Sequence, residues 1–185
     1  MSSGLTFRTV DPVTGLTIEE LPGARLNGDI VQVIGRGEPV TVEIPWPDDM
    51  PDRWRAATDP GRQLLICEDE DRIWWGGLII ARSFGDGPTL TVQADAPEGL
   101  LARGFVPDLA LKQQPQTEIM ATLGLDWLTS FIHGRVEVGA TAQVRDRNYK
   151  ADDDKSRLDA MQDLMGVING PEFTTRWEKP SGVVE

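Results

Sequence analysis

The amino-acid sequence predicts an α+β fold, with a β-barrel or sandwich-like N-terminal domain followed by a small α/β domain. Three observations predict this fold. Short segments of alternating apolar and polar residues, separated by turn residues, recur through positions 1–110. The segment 62–83, RQLLICEDEDRIWWGGLIIARS, has the pattern of a β-hairpin. Two helical patterns appear only after these segments.

The predicted hairpin has two apolar arms, Arg62–Cys67 and Arg72–Ala81. The acidic tetrapeptide between them, Glu68–Asp71, is unsuited to a core and suits a turn. The second arm contains Gly76 and Gly77, and paired glycines inside a strand mark a bulge, a bend or a close backbone approach. The arm therefore reads as a bent strand of a small barrel or sandwich.

The remaining segments of the first domain, residues 1–111, follow the same alternation. The predicted strands are Leu5–Val10, Leu16–Leu21, Arg25–Ile34, Pro39–Ile44 and Thr89–Ala94. The stretch Pro45–Pro60 contains four prolines and is predicted to be a loop. A short helical turn is predicted around Glu98–Ala102.

The second domain is predicted to span residues 112–185, with the junction at Lys112–Pro115. Its first helix, Gln116–Phe131, has apolar residues spaced by four after an initial proline. Strands are predicted at Arg135–Arg145 and Phe173–Trp177.

The second helix is predicted at Asp154–Asn169, with Asp154 as its N-cap and Gly170 after its end. Its apolar stripe is Leu158, Met161, Leu164, Met165 and Ile168. We expect this stripe to be buried against the two strands of the same domain.

The net charge of this 185-residue chain is −12, which disfavours a nucleic-acid partner because phosphates would be repelled. The acidic runs lack the alternating pattern of a calcium loop and read as solvated turns. No stretch approaches the roughly 20 apolar residues of a membrane span, and the N-terminus does not resemble a secretory signal. Cys67 is the only cysteine, so it is expected to be a core residue without a disulfide or a zinc ion.

Catalytic patterns are sparse, and we expect no enzymatic activity, no catalytic residues, no metal and no cofactor. His133 is the only histidine, so a multi-histidine metal site is excluded and a general-base role lacks an evident partner. No nucleophile elbow, phosphate-binding loop or dinucleotide motif occurs. A pair of carboxylates suited to glycoside hydrolysis stays open, because its spacing is spatial.

Four of the six tryptophans are interface candidates. Trp46 and Trp54 lie in the predicted loop, where large aromatic side chains suit an interface with a neighbouring subunit. Trp74 and Trp75 are consecutive in a strand, so one faces inward and the other outward. The outward indole suits a contact with another subunit or, alternatively, a sugar.

The assembled pattern resembles the minor tail proteins of long-tailed phages of actinobacterial hosts, and specifically the N-terminal half of their tail-hub (tail-associated) family. Three segments carry the resemblance. They are the hairpin RQLLICEDEDRIWWGGLIIARS, the following GPTLTVQADAPEGLLARGFV, and DKSRLDAMQDLMGVINGPEFTTRWE. Together they span most of residues 60–178 and contain no catalytic signature.

The resemblance implies a structural role in the virion, at the tail tip, for a protein made in the host cytoplasm. Hub proteins form a closed ring, typically a trimer, that joins the tail tube to the distal tip. The implied partners are copies of the chain and the tube, distal-tail and tip proteins. Hub proteins usually continue with a second barrel, so we expect another polypeptide to supply it or this chain to be a distinct minor tail protein. The alternatives are a carbohydrate-binding tail module that contacts the host envelope and a cell-wall hydrolase fragment.

Overall fold

The computed structural model describes residues 4–46, 52–84, 87–133, 137–139 and 143–179. Contacts divide the chain into two compact units, each discontinuous in sequence. The first comprises Met1–Val31, Glu38–Ala96 and Thr175–Glu185, and the second comprises Gln32–Gly37 and Pro97–Thr174. The predicted domain division at residues 111 and 112 stays a prediction, because contacts do not measure which parts fold independently.

The first unit contains a seven-stranded antiparallel sheet. Its strands are β1 Thr6–Val10, β2 Thr17–Glu20, β3 Arg25–Asn27, β4 Val40–Pro45, β5 Leu64–Glu68, β6 Ile73–Phe84 and β7 Thr89–Asp95. Their order is β2-β1-β5-β6-β7-β4-β3, and within the described part of the chain no pairing joins β2 to β3. The α+β class is therefore confirmed. The closed-barrel alternative is wrong, and the open sheet is consistent with the sandwich-like alternative.

The core of the first unit forms on one face of the sheet, where alternating apolar residues point. In β4, the side chains of Val40, Val42 and Ile44 are buried, as their alternation predicts. The buried cluster is Phe7, Leu21, Val40, Val42, Ile44, Trp54, Leu65, Cys67, Trp75, Ile79, Leu90, Val92, Ala94 and Ala96. Strand β5 is buried from Leu64 through Cys67, so both of its faces are covered.

The hairpin predicted at 62–83 is confirmed: β5 and β6 pair antiparallel, with Ile66 opposite Gly76. The turn lies one residue later than predicted, at Asp69–Arg72, where the Asp69 N–H donates to the Arg72 carbonyl at 3.0 Å. The shift accompanies a bulge next to Glu68, which stays in the strand. The N–H groups of Asp71 and Arg72 both donate to Asp69 Oδ1, at 2.8 and 2.9 Å.

Two predictions in the first unit need correction. The stretch predicted as a loop, Pro45–Pro60, contains helix α1 at Asp52–Ala57, whose Trp54 and Ala57 are buried; residues 47–51 lie outside the described residues. Strand β3 is only three residues long, whereas Arg25–Ile34 was the predicted extent. Gly28, with φ of 107°, follows the strand directly in a backbone conformation that a strand does not use.

The longer segment of the second unit begins with the helical turn expected around residues 98–102, formed by α2 (Pro97–Leu100) and a 3₁₀ turn (Leu101–Arg103). A continuous helical stretch then follows Pro115, in agreement with the predicted helix. It consists of α3 Gln116–Met120, a π-helical segment Ala121–Leu125 and α4 Asp126–Thr129. The Asp126 N–H donates to the Ala121 carbonyl, a separation of five residues.

The π-helical segment moves the buried face of this helix by one position. A π turn holds one residue more than an α turn, so spacing by four does not continue across it. The apolar residues buried along this face are Ile119, Leu123, Leu128 and Ile132. Spacing by four had placed Trp127 and Phe131 in the stripe. Because of the shift, Trp127 is partly exposed and Phe131 is 52% exposed.

The sequence did not predict the two-stranded sheet of the second unit, formed by β8 (Leu109–Pro115) and β9 (Val144–Tyr149). Strand β8 includes the predicted junction, Lys112–Pro115. It is interrupted by a bulge at Gln113, whose φ is 51° and whose N–H donates to Asp146 Oδ1 at 2.7 Å. Of the strand predicted at Arg135–Arg145, Val144 and Arg145 begin β9, whereas residues 137–139 are not in a strand and residues 135–136 and 140–142 lie outside the described residues.

The last helix, α5, spans Arg157–Met165 and is shorter than predicted. Its N-cap is Ser156, whose Oγ accepts from the Asp159 N–H at 3.0 Å. Asp154 is not the cap, because it adopts a left-handed conformation with φ of 47° at the end of a preceding 3₁₀ turn. A serine hydroxyl two residues later makes the same type of capping bond.

The main neighbours of helix α5 are helical elements, and the segments that were predicted as its covering strands are not strands in the described residues 137–139 and 173–177. Its neighbours in the second unit are the 3₁₀ turn at Leu101–Arg103, the π-helical segment and α3. Met161 and Leu164 are fully buried, whereas Ile168 is 82% exposed beyond the end of the helix. The segment 173–177 is not a strand, although the buried Phe173 accepts a hydrogen bond from the Gly35 N–H at 3.0 Å.

Candidate interface surfaces

Three aromatic rings of the first unit form an aromatic cluster, Trp46, Trp54 and Phe84. The centroid of the Trp46 ring lies 6.4 Å from that of Trp54 and 5.3 Å from that of Phe84, both in edge-to-face geometry. Such pairs contribute about 0.5–1.5 kcal/mol beyond the burial of their area. The cluster therefore holds the indole of Trp46 in place after β4 ends.

The members of the aromatic cluster differ in exposure. Trp54, on α1, is 8% exposed and belongs to the core, and Trp46 is partly buried against the same core. Phe84, at the end of β6, is 56% exposed and was not among the predicted residues. Both tryptophans thus pack on their own unit, and their role as interface residues stays a prediction.

The consecutive tryptophans of β6 divide as the strand geometry predicts. Trp75 is 6% exposed and lies in the core, whereas Trp74 is 44% exposed on the other face. The Trp74 indole is held at its edge and at one face. Its Nε1–H donates to Asp69 Oδ2 at 2.6 Å, and the Arg72 guanidinium carbon lies 3.3 Å from the ring centroid. We call residues Glu68–Trp74 the hairpin tip.

Hydrogen bonds make Asp69 the organising residue of the hairpin tip. Its carboxylate accepts three hydrogen bonds. The largest stabilisation comes from the Arg72 backbone N–H, followed by the Trp74 indole N–H and the Asp71 backbone N–H. These bonds hold the pKa of Asp69 below its ordinary value, so the carboxylate stays charged and keeps the indole in place.

The end of the described chain lies along the same hairpin. The Lys179 ammonium donates to the carbonyls of Asp69 and Glu70, at 2.5 and 2.9 Å. The Trp177 ring covers Gly76: a Cβ at this glycine would lie 2.6 Å from the Trp177 ring and 2.7 Å from Ile66 Cδ1. The close approach that the paired glycines predicted is therefore confirmed at Gly76.

Charges at the hairpin tip are unevenly compensated. Glu68 forms an ion pair with Arg8, with Nε 2.7 Å from Oε1. Glu70 and Asp71 are exposed and form no ion pair with any residue that the structure describes. The tip thus presents a fixed aromatic ring beside two carboxylates that have no ion pair in the described part of the chain, and the Lys179 ammonium at the tip bonds backbone carbonyls.

The second unit has a concave surface between β9 and α5, which we call the β9–α5 hollow. This open hollow has a volume of about 590 Å³ and is lined by polar side chains that include Arg147, Tyr149, Lys155 and Asp163. Lys155 donates to Asp163, and this bond raises the pKa of the ammonium. Burial raises the pKa of Tyr149, so its hydroxyl stays neutral under physiological conditions. Arg147 has no carboxylate partner among the described residues.

Cys67 and His133, the only cysteine and the only histidine, do not line the β9–α5 hollow. Cys67 is fully buried in β5, and burial, with smaller contributions from Asp69 and Glu68, raises the pKa of its thiol to about 11. His133 is exposed at the end of the helical stretch. Within the described ranges, no three His, Cys, Asp or Glu side chains are placed to hold a metal ion. Within the same ranges, no helix has the length and apolar character needed to cross a membrane.

Comparison with known proteins gives a similarity of fold. No family profile and no curated protein matches the amino-acid sequence. The structure is similar to the crystal structure of the tail protein from Neisseria meningitidis MC58, with a TM-score of 0.51 and 13% sequence identity. The alignment covers 84% of this chain and 43% of that one. The chain therefore spans less than half the length of the tail protein that it matches.

Proposed function

We propose that this protein is a structural component of a phage tail, located at the tail tip in the hub ring that joins the tail tube to the distal tip. The observation that carries the proposal is the fold, which is shared with a tail protein over 84% of the chain. The order of hairpin, strand, helical turn and final helix, from which the resemblance to tail-hub proteins was drawn, supports the hub position.

The proposed role is structural and without enzymatic activity. The thiol of Cys67 is buried and, with a pKa of about 11, supplies almost no thiolate near neutral pH. His133 is exposed at the end of the helical stretch. Turnover of peptidoglycan by the purified protein, abolished by one carboxylate substitution, would contradict this role and favour the hydrolase alternative.

The partners in this proposal are tube, distal-tail and tip proteins, together with copies of the chain, a trimer being favoured. The open sheet supports it, because among the described residues β2 and β3 each have a strand partner on one side only. Protein assemblies use such edges as interfaces, whereas a soluble monomer must protect them.

The carbohydrate-binding alternative rests on the exposed indole of Trp74. Sugars stack on an open aromatic face, and Arg72 already covers one face of this ring. The same indole N–H is bonded to Asp69 and is not available to a sugar hydroxyl. The geometry therefore favours a protein contact over a sugar at this position.

Electron cryo-microscopy of purified virions tests the proposed function. We expect the fold of residues 4–179 to fit density at the distal end of the tail, and an antibody against the chain to label that end. The natural control is an antibody against the major tube protein, which should label the whole tail. Absence of the chain from purified virions would contradict a tail role, and labelling along the whole tube would contradict the tip position.

A further inference from the structure

We propose that the hairpin tip of one copy of this chain docks into the β9–α5 hollow of a second copy, so that the two surfaces form the contact between neighbouring subunits. The inference deepens the ring assembly and rests on the proposed function. Its occupant is specific: the acidic tip carrying Trp74 meets the hollow that contains Arg147.

The hairpin tip has the properties of an interface anchor. Trp74 is 44% exposed, yet Asp69 and Arg72 fix the edge and one face of its indole. An aromatic side chain that is already ordered loses little conformational entropy when it is buried by a partner. Tryptophan is also among the residues that contribute most to binding at interface centres.

Anchoring at the base of the hairpin tip adds to this preorganisation. Lys179 bonds two carbonyls of the turn, and Trp177 covers Gly76, two residues after Trp74 in β6. The tip is thus fixed both by its own turn and by a distant segment of the same unit. A tip fixed in this way approaches a partner as a rigid projection.

The β9–α5 hollow provides a complementary surface. The hollow is open to solvent, and its volume of about 590 Å³ leaves room for part of a projecting hairpin. Its charged lining consists of Arg147, Lys155 and Asp163, which leaves one excess positive charge. Lys155 is engaged by Asp163, whereas the Arg147 guanidinium is bonded to the neutral hydroxyl of Tyr149, so Arg147 carries the positive charge available to a partner.

Charge decides the choice of partner. In a chain with a net charge of −12, most surfaces of one copy repel the acidic hairpin tip of another. A hollow with excess positive charge is where Glu70 and Asp71 gain opposite charges on docking. Because tip and hollow are different surfaces, the contact is heterologous, and contacts of this kind generate rings when the rotation closes.

Charge exchange tests the contact in the full-length protein by analytical ultracentrifugation at low ionic strength. We expect the parent to self-associate, and Asp71→Arg or Arg147→Asp alone to raise the dissociation constant at least about tenfold, as loss of a close charge pair does. The double variant should recover most of the affinity. Trp74→Ala should also weaken association, whereas Phe131→Ala, which removes an exposed aromatic elsewhere, should not.

Asp29→Arg is the matched charge control, because it reverses an exposed carboxylate of the same unit and should leave association unchanged. Circular dichroism and thermal unfolding verify that each variant is folded. A parent that is monomeric at about 100 μM, well above the roughly 1 μM dissociation constant of a moderate contact, overturns the inference. So does an oligomer that neither single charge reversal weakens, or one that the double variant fails to restore.

The two proposals fail in different ways. If the chain is found at the tail tip but its association does not depend on Asp71 and Arg147, the contact is wrong and the tail role stands. If the chain is absent from virions although the charge exchange behaves as expected, the contact stands and the tail role is wrong.

Discussion

Gly77 occupies a position where a side chain has no room. A Cβ at this residue would lie 2.4 Å from the Asp95 carbonyl oxygen and 2.5 Å from the Trp75 ring. The first neighbour is backbone of the adjacent strand and cannot rotate away. The glycine therefore permits β6 and β7 to pair closely beside a buried indole.

Gly77→Ala should lower the free energy of unfolding by about 1–3 kcal/mol, the usual cost of overpacking a core. Chemical denaturation monitored by tryptophan fluorescence measures this change. Gly4→Ala is the control, because a Cβ at Gly4 meets nothing within 4 Å, and its effect should stay within about 0.5 kcal/mol. Equal stability of the two variants would mean that the strands readily separate at Gly77.

At the residue scale, sequence patterns predicted the structural features that depend on adjacent residues of the chain. Paired glycines indicated a close approach, and strand alternation placed one of Trp74 and Trp75 inside. The same rules did not show that Asp69 holds the outward indole, because that bond depends on a turn shifted by one residue. They also did not indicate Trp177 as the side chain over Gly76, about a hundred residues away in sequence.

Helix α5 shows how an element can be recognised while its surroundings are not. The apolar stripe indicated a buried helix face, and Met161 and Leu164 are indeed fully buried. The face packs on other helical segments because the preceding π-helical segment brings Gly124 close to it: a Cβ at Gly124 would lie 2.1 Å from Met161 Sδ. Alanine at that position would displace the methionine.

Leu164→Ala should lower the free energy of unfolding by about 2–5 kcal/mol, because a fully buried leucine leaves a cavity when truncated. Ile168→Ala removes a side chain that is 82% exposed and should change stability by less than about 0.5 kcal/mol. Urea unfolding curves of both variants provide the measurement. A loss below about 0.5 kcal/mol for Leu164→Ala would show that this helix face is solvent-exposed in the protein.

Other elements were hidden from sequence rules for identifiable reasons. Strand β8, with the sequence LALKQQP, loses its alternation at the bulge formed by Gln113, so its polar half does not resemble a strand. The N-cap moved from Asp154 to Ser156 because both residue types cap helices and only backbone conformation decides between them. The π-helical segment has no signature in spacing, and it displaced the predicted stripe at Trp127 and Phe131.

At the scale of the whole molecule, the described C-terminal segment, residues 175–179, belongs to the first unit. The residues that precede it, Pro97–Thr174, belong to the second unit. A division at residue 111 would place Trp177 and Lys179 in a different domain from Gly76 and Asp69, which they contact. Sequence patterns gave no sign of this arrangement, because they report local structure and not which distant segments meet.

Trp177→Ala should therefore destabilise the β5–β6 hairpin, by about 1–3 kcal/mol, because a half-buried indole that covers Gly76 of β6 is lost. Hydrogen exchange followed by mass spectrometry should show faster exchange in peptides from β5 and β6 than in those from α5. Arg176→Ala, which truncates an exposed neighbour, is the control and should leave the exchange of all three elements unchanged. If Trp177→Ala left β5 and β6 as protected as in the parent, the C-terminal segment would contribute nothing to the first unit. If exchange instead rose only in α5, the segment would stabilise the second unit, as the simple division at residue 111 implies.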